Sequence, residues 1–239
     1  MFFGVRMKNP FSCLNKKDWA LYISSLIVAV TCNFFGDRVS ALNLVAVIFG
    51  MTALIFIAKG NVWGQVFSVL FGTLYSITAI KYRYYSEIIT YLGMTAPIGL
   101  FSIFSWLKNP YKRGENVVKI RRLTLKEFMI TFSLTIVVTV VFYFILKALG
   151  TKNLIVSTVS ITMSFLASIL MLRRISYYAI VFMLNDVVLI ILWILACFDD
   201  LTYLSMVACF FMFLFNDLYA FVHWKIREKQ QGLTKKREQ

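Results

Sequence analysis

Eight long apolar stretches occupy nearly the whole chain: Trp19–Phe35, Val39–Ala58, Val62–Ile80, Tyr84–Leu107, Thr124–Leu149, Asn153–Leu172, Ile175–Phe198 and Leu201–Trp224. A hydrocarbon layer about 30 Å thick is crossed by roughly 20 mostly apolar residues in a helix. Lipid offers no partner to backbone polar groups, so each stretch has to satisfy them internally. The expected fold is therefore an all-α integral membrane protein with eight transmembrane helices. The chain is 60% hydrophobic and only 15% charged, which excludes an ordinary soluble domain. Almost nothing is left outside the membrane to build a catalytic domain.

The formal net charge of +14 raises the question of a nucleic-acid partner, and its distribution answers it. Place the N-terminus inside and let the stretches alternate. Twenty of the 25 Lys and Arg residues then fall in inner tails and loops. Only Arg38, Lys81, Arg83, Lys147 and Lys152 fall outside. That asymmetry is the orientation signal of a membrane protein, not a polyanion-binding face. It predicts two cytoplasmic termini, an even number of spans and no nucleic acid. Asp199 and Asp200 lie on the outer side.

Cys13, Cys32, Cys197 and Cys209 show no paired spacing and read as small hydrophobes. The N-terminus has no cleavage pattern of a signal peptide, so the first stretch is expected to stay. It is the shortest, holds Asn33, and is expected to pack at the periphery.

The longest interruption, Lys108–Leu123, carries Asn109-Pro110 and a dense basic run. The halves on either side echo one another. Ile98-Gly-Leu-Phe-Ser-Ile-Phe-Ser-Trp106 ends the fourth stretch, and Asn216-Asp-Leu-Tyr-Ala-Phe-Val-His-Trp224 ends the eighth. Thr90-Tyr-Leu-Gly93 likewise echoes Thr202-Tyr-Leu-Ser205. By the charge pattern, stretches two to four run in the same sense as six to eight, with the fifth as an inversion helix. The expected layout is 1+3+1+3, with two parallel three-helix repeats. Its parts are residues 1–38 (tail and first helix), 39–107 (repeat 1), 108–152 (basic linker and inversion helix), 153–224 (repeat 2) and 225–239 (tail).

Polar side chains at membrane depth cost on the order of 2–3 kcal/mol, so they are expected to face the interior or a cavity. The prominent set is Asn185-Asp186 and Asn216-Asp217, an amide beside a carboxyl in each of two helices. Neighbours in a helix differ by about 100°, so the members of a pair point different ways. One faces a site and the other a neighbouring helix. Gln65 and Ser68 share a face of the third stretch, where Gly64, Ser68 and Gly72 also permit close helix approach. Tyr178 and Asn185 lie two turns apart on one face, a spacing suited to a stacked ring and an amide hydrogen bond. Trp19, Trp63, Trp106 and Trp224 sit near helix ends, where interfacial anchoring is the plain expectation. Glu87 falls near the outer end of its helix, and Pro97 predicts a kink. There is no phosphate loop, metal-ligand spacing or nucleophile–base signature, so neither an enzyme nor a cofactor is expected.

These residues resemble the PnuC family of bacterial vitamin transporters over roughly Val39 to Trp224. The resemblance is carried by Asn61-Val-Trp-Gly64 with Leu70-Phe-Gly72, Asn109-Pro-Tyr111 after Trp106, the Asn185 helix, and Asn216-x-x-Tyr219-x-x-x-x-Trp224. The 1+3+1+3 layout also fits that family, which is similar to a full-length version of the SWEET sugar-transporter architecture. The resemblance implies facilitated diffusion of nicotinamide riboside, trapping by a cytoplasmic kinase, a homotrimer and residence in the bacterial inner membrane. Relatives carry deoxynucleosides, thiamine or riboflavin, which are the alternative substrates. The riboside carriers typically show Trp-x-x-Trp-x-x-x-Asn, where this chain has Tyr178-x-x-Val181-x-x-x-Asn185. A family Asn in the fourth helix is absent near Pro97 and Ile98. The expected substrate site is Gln65, Ser68, Tyr178, Asn185, Asp186, Asn216 and Tyr219. Its amides would hold ribose hydroxyls or a carboxamide, and Tyr178 would stack on the base.

Overall fold

The computed structural model of the chain describes residues 9–34, 41–81, 85–112, 115–151, 153–198, 201 and 204–232. Arg38, Arg83, Lys152, Asp199, Asp200 and the Thr202-Tyr203 echo lie outside the described residues, as do the side chains of Asn33 and Glu87. Its regular elements are helices: α1 (Lys16–Phe34), α2 (Ala41–Ala58), α3 (Val62–Lys81), α4 (Tyr85–Thr90), α5 (Ala96–Leu107), α6 (Leu125–Ala148), α7 (Leu154–Leu172), α8 (Tyr178–Cys197) and α9 (Leu204–Gln230). A 3-10 turn, Pro10–Cys13, precedes α1. Among the described residues, five helical segments are long and apolar enough to cross a membrane: Ile88–Leu107, Leu125–Ala148, Leu154–Leu172, Tyr178–Cys197 and Met206–Gln230. Leu44–Ala58 and Val62–Ile77 are shorter apolar helices. The expected all-helical, multi-pass membrane class is what the chain adopts. α1 is less apolar than these because it opens on Lys16, Lys17 and Asp18.

At Pro97, where a kink is expected, the fourth stretch stays helical but departs from regular α geometry. Proline has no N–H to give the Gly93 carbonyl, and its ring crowds that carbonyl. The strain is absorbed just upstream, where Tyr91–Thr95 forms a π turn joining α4 to α5. Such single wide turns are a recognised route to a helix bend.

Helix contacts run in a closed ring: α2 on α3, α3 on α5, α5 on α7, α7 on α8, α8 on α9, and α9 back on α2. α1 lies outside this ring against α2 and α9, and α6 lies against α7. The peripheral placement expected of the first helix is thus observed. α6 turns a long apolar surface outward, with Phe132, Val137 and Phe144 more than half exposed, as a lipid-facing helix should.

One end of the ring closes on two tryptophans. Trp106 is 1% exposed and Trp224 is 0% exposed. Their rings lie 5.7 Å apart, and Tyr178 packs edge-on to Trp224 at 4.9 Å. Trp106 Nε1 donates to the Met171 carbonyl at the end of α7 (3.1 Å), and Trp224 Nε1 donates to the Ile57 carbonyl at the end of α2 (2.9 Å). Interfacial anchoring is therefore the wrong reading for this pair. Carbonyls in the last turn of a helix lack i+4 partners and have lone pairs to spare, so each can take an indole N–H and let the buried ring satisfy its one donor. Trp19 does remain part-exposed.

Both acceptor helices end the same way. After α2, Gly60 takes φ 60°, and Asn61 N bonds the Phe56 carbonyl while Gly60 N bonds that of Ile57. After α7, Arg174 takes φ 63°, and Ile175 N bonds the Leu170 carbonyl while Arg174 N bonds that of Met171. This paired pattern is the Schellman cap, which needs a left-handed residue and favours glycine there.

The basic linker is an ordered plug over this end. Val118 N bonds the Gly60 carbonyl (2.9 Å) and Val62 N bonds that of Asn116 (3.0 Å). Val118 and Ile120 are buried against Trp106 and Trp224. Gln231, just beyond α9, clasps the plug by accepting from Ile120 N (2.8 Å) and donating to the Val118 carbonyl (3.3 Å).

Candidate functional site

α3 and α8 lie opposite one another in the ring, each flanked by two neighbours. Both carry buried amides. Gln65 is 0% exposed, and neither its Oε1 nor its Nε2 has a hydrogen-bond partner. An unsatisfied buried polar group costs about 1–3 kcal/mol, so a fully unbonded amide is an expensive feature without a ligand. Gln65 is seated by the residue before it. Gly64 lets α3 lie directly on α2: a Cβ there would stand 2.5 Å from Ile57 N and 2.9 Å from the Phe56 carbonyl carbon. Ser68, one turn further along, is half-buried.

On α8, Asn185 and Asp186 are each 4% exposed. Asn185 Nδ2 donates to Ser164 Oγ on α7 (3.1 Å), which leaves its Oδ1 buried and unbonded. The Asp186 carboxyl meets that of Asp217 on α9, while Asp186 Oδ2 has no hydrogen-bond partner. Neither α8 nor α9 as far as Trp224 contains a Lys or Arg, so no cation of these helices lies beside the carboxyls. Asp186 is eight residues beyond Tyr178, or about 12 Å along the helix axis from the closed end.

The expected residues thus divide. Gln65, Asn185 and Asp186 are buried with unbonded polar atoms. Asn216 and Tyr219 instead face α1. Asn216 Nδ2 donates to Ser25 Oγ (2.8 Å) and to the Met212 carbonyl (2.8 Å). The Tyr219 hydroxyl donates to Asp18 Oδ1, and Asp18 Oδ2 pairs with Lys59 Nζ at 2.7 Å. This buried tie joins α1, the end of α2 and α9. Tyr178 sits in the aromatic closure with its hydroxyl 3.5 Å from the Ile57 carbonyl.

Asp217, singled out beside Asn216 but left out of the expected substrate residues, is the one that stands against Asp186. The signal was available in the spacing of α9. Asp217, Ala220 and Trp224 follow three-and-four spacing on one face, while Asn216, Tyr219 and His223 follow it on another. Trp224 turns inward to α2, and Asp217 goes with it.

An α-helical, multi-pass membrane protein with uncharged and acidic polar groups buried in a helix ring is the class this fold and site define. The comparisons narrow it. The family profile described as "Nicotinamide mononucleotide transporter" matches residues 40–226, and the chain belongs to that family, the PnuC family. The nicotinamide riboside transporter PnuC of Neisseria mucosa is 25% identical over 199 residues, covering 81% of this chain and 75% of the relative. The protein of the same name from Haemophilus influenzae is 24% identical over 226 residues, covering 94% of this chain and 96% of the relative. A crystal structure described as the vitamin B3 transporter PnuC superposes with a TM-score of 0.75 at 23% identity, over 92% of this chain and 95% of that one. That likeness establishes a shared fold.

Proposed function

We propose that the chain carries nicotinamide riboside across the bacterial inner membrane by facilitated diffusion, with both termini cytoplasmic and no chemistry of its own. The observation that carries this reading is Gln65: an amide with no exposure and no partner at either end, in a chain matched to this family over residues 40–226. Gln65, Ser68, Asn185, Asp186 and Asp217 form the proposed contact set. The amides would take the ribose hydroxyls and the carboxamide, and the carboxyl pair would complement the cationic pyridinium.

A riboside fits this set better than its phosphorylated form. A phosphate would meet two carboxyls and no Lys or Arg along α8 or the inner part of α9, and like charges repel strongly at low dielectric. The cation needs no such compensation. Aromatic caging is reduced, since Val181 stands where the family has Trp and Tyr178 is engaged in the closure. The alternative substrates are neutral deoxynucleosides, which need neither a cage nor a counter-charge.

The proposed mechanism has two three-helix units, α2–α3–α5 and α7–α8–α9, rocking about the polar centre. The reciprocal contacts support it: α5 meets α7 as α9 meets α2, and Trp106 bonds the end of α7 as Trp224 bonds the end of α2. A homotrimer and capture of the substrate by a cytoplasmic kinase complete the proposal.

The test is uptake and calorimetric binding with purified protein in liposomes. Nicotinamide riboside is compared with its neutral dihydro form, thymidine and thiamine. Riboside uptake that saturates, and falls at least tenfold in Gln65→Ala, is the expected result. Uptake of thymidine without the riboside would overturn the substrate. Unchanged riboside binding in Gln65→Ala would overturn the site.

A further inference from the structure

A polar cavity lies outside the ring, at its closed end. It has a volume of about 220 Å³ and three walls distant in sequence: the linker at Arg121–Leu123, the turn Ile175–Tyr177, and the last turns of α9 at Lys225–Lys229. That is below the roughly 300 Å³ at which pockets for drug-sized ligands begin, and it suits a small headgroup or anion. The walls are held in place before any ligand arrives. Arg121 N bonds the Arg174 carbonyl (3.1 Å), and Gln231 clasps Ile120 N.

The charges around the cavity do not cancel. Glu228, the acid of its lining, is already engaged by Lys225 Nζ (2.8 Å) and Ser176 Oγ (2.9 Å). Lys225 also stands 4.0 Å over the Tyr177 ring. Arg121 is drawn off by Glu127 at 2.6 Å, which Arg173 approaches at 3.5 Å. Arg122 and Lys229 remain: among the described residues neither has an ion pair, and Arg122 adds only a longer-range attraction to Glu228. Behind them, burial and then the nearby Arg121 guanidinium hold the Arg174 guanidinium below its usual value. A cavity with two cations outside any ion pair and more positive charge behind it attracts an anion, and a guanidinium fork matches phosphate oxygens in particular. Tyr177 is about half exposed beside it, as aromatic side chains at a membrane–water boundary commonly are.

We propose that Arg122 and Lys229 form a phosphate-ester site at the closed end of the bundle, separate from the site in the helix ring. Two sources present that chemistry there: the headgroup of an anionic phospholipid, and a soluble nucleoside monophosphate.

Thermal unfolding of the purified full chain in neutral detergent distinguishes them. Short-chain phosphatidylglycerol, adenosine monophosphate and inorganic phosphate are titrated at equal ionic strength against chloride, since exposed charges are screened by salt. Arg122→Gln/Lys229→Gln is the test variant, and Lys126→Gln, an exposed cation outside the cavity, is the control. Both test residues are exposed, so the unliganded melting temperature should stay within a few degrees of the parent. The expected result is a rise in melting temperature with phosphatidylglycerol or with the monophosphate, whose midpoint moves at least tenfold in the double variant and not in the control. A response to phosphatidylglycerol alone assigns a lipid site, and a response to the monophosphate or phosphate assigns a soluble ligand. No response beyond chloride, or equal loss in Lys126→Gln, overturns the proposal.

Discussion

At the scale of single residues, unbonded polar atoms and one absent side chain carry the most information. Gly64 is required because α3 touches the α2 backbone there, and moving the Ile57 side chain aside would not relieve the contact with Ile57 N and the Phe56 carbonyl carbon. Gly64→Ala should therefore cost more than the 1–3 kcal/mol typical of overpacking, seen as loss of folded protein in detergent. If Gly64→Ala melted like the parent, the close approach of α2 and α3 would be wrong. Gly60 differs: it needs its positive φ of 60°. Much of the candidate site was legible in residue types. An Asn-Asp pair in an apolar helix announces itself, and the 100° rule said that its members must part company. Which member turns inward depended on neighbours that sequence does not supply: Ser25 on α1 engages Asn216, and Asp186 on α8 receives Asp217. A charge-specific prediction follows. Asp217→Asn should weaken binding of cationic nicotinamide riboside about tenfold, or roughly 1.4 kcal/mol, while leaving its neutral dihydro form within a factor of about two. Equal losses for both ligands would show that Asp217 acts on packing rather than on substrate charge.

At the scale of elements, the two tryptophans show where reading by type misleads. A Trp near a helix end is usually an anchor at the membrane surface, because the ring is amphipathic. Trp106 and Trp224 are instead turned into the bundle, where the Met171 and Ile57 carbonyls at the ends of α7 and α2 each accept an indole N–H besides the backbone N–H of the cap. Their recurrence in the two halves was visible in the sequence; their burial depended on how the helices close. Trp106→Phe and Trp224→Phe each leave one buried carbonyl without its indole donor. Each should cost about 0.5–1.5 kcal/mol, measured by denaturation in mild detergent, and the two losses should be similar in size. A large loss from one and none from the other would argue against equivalent roles. The basic linker was readable as a boundary but not as a plug, because its contacts are backbone bonds to Gly60 and Val62 that side-chain pattern cannot announce.

At the scale of the whole molecule, the structure is closed at one end. Trp106, Trp224 and Tyr178 fill the ring there, and Val118 and Ile120 seal it. The helix ring itself follows from apolar length and the absence of soluble surface, which is why the class was legible from composition. That one end of the ring is closed was not, since it depends on how the helix ends pack and not on residue type. If two units rock about the polar centre, this closed end has to part. The linker hangs on the α2–α3 turn through Val118 and Gly60, while Gln231 belongs to the end of α9. The clasp between them therefore joins one unit to the other. Lys119→Cys and Gln231→Cys, placed in a background with the four native cysteines replaced by serine, put one thiol on each side of that clasp. Bridging them with a short bifunctional maleimide should stop net uptake while leaving substrate binding to the closed form intact. Modifying either cysteine alone with a monofunctional maleimide of similar size should leave most of the uptake. Full uptake through the bridged protein would mean that the closed end never separates, and the path for substrate would then have to avoid it.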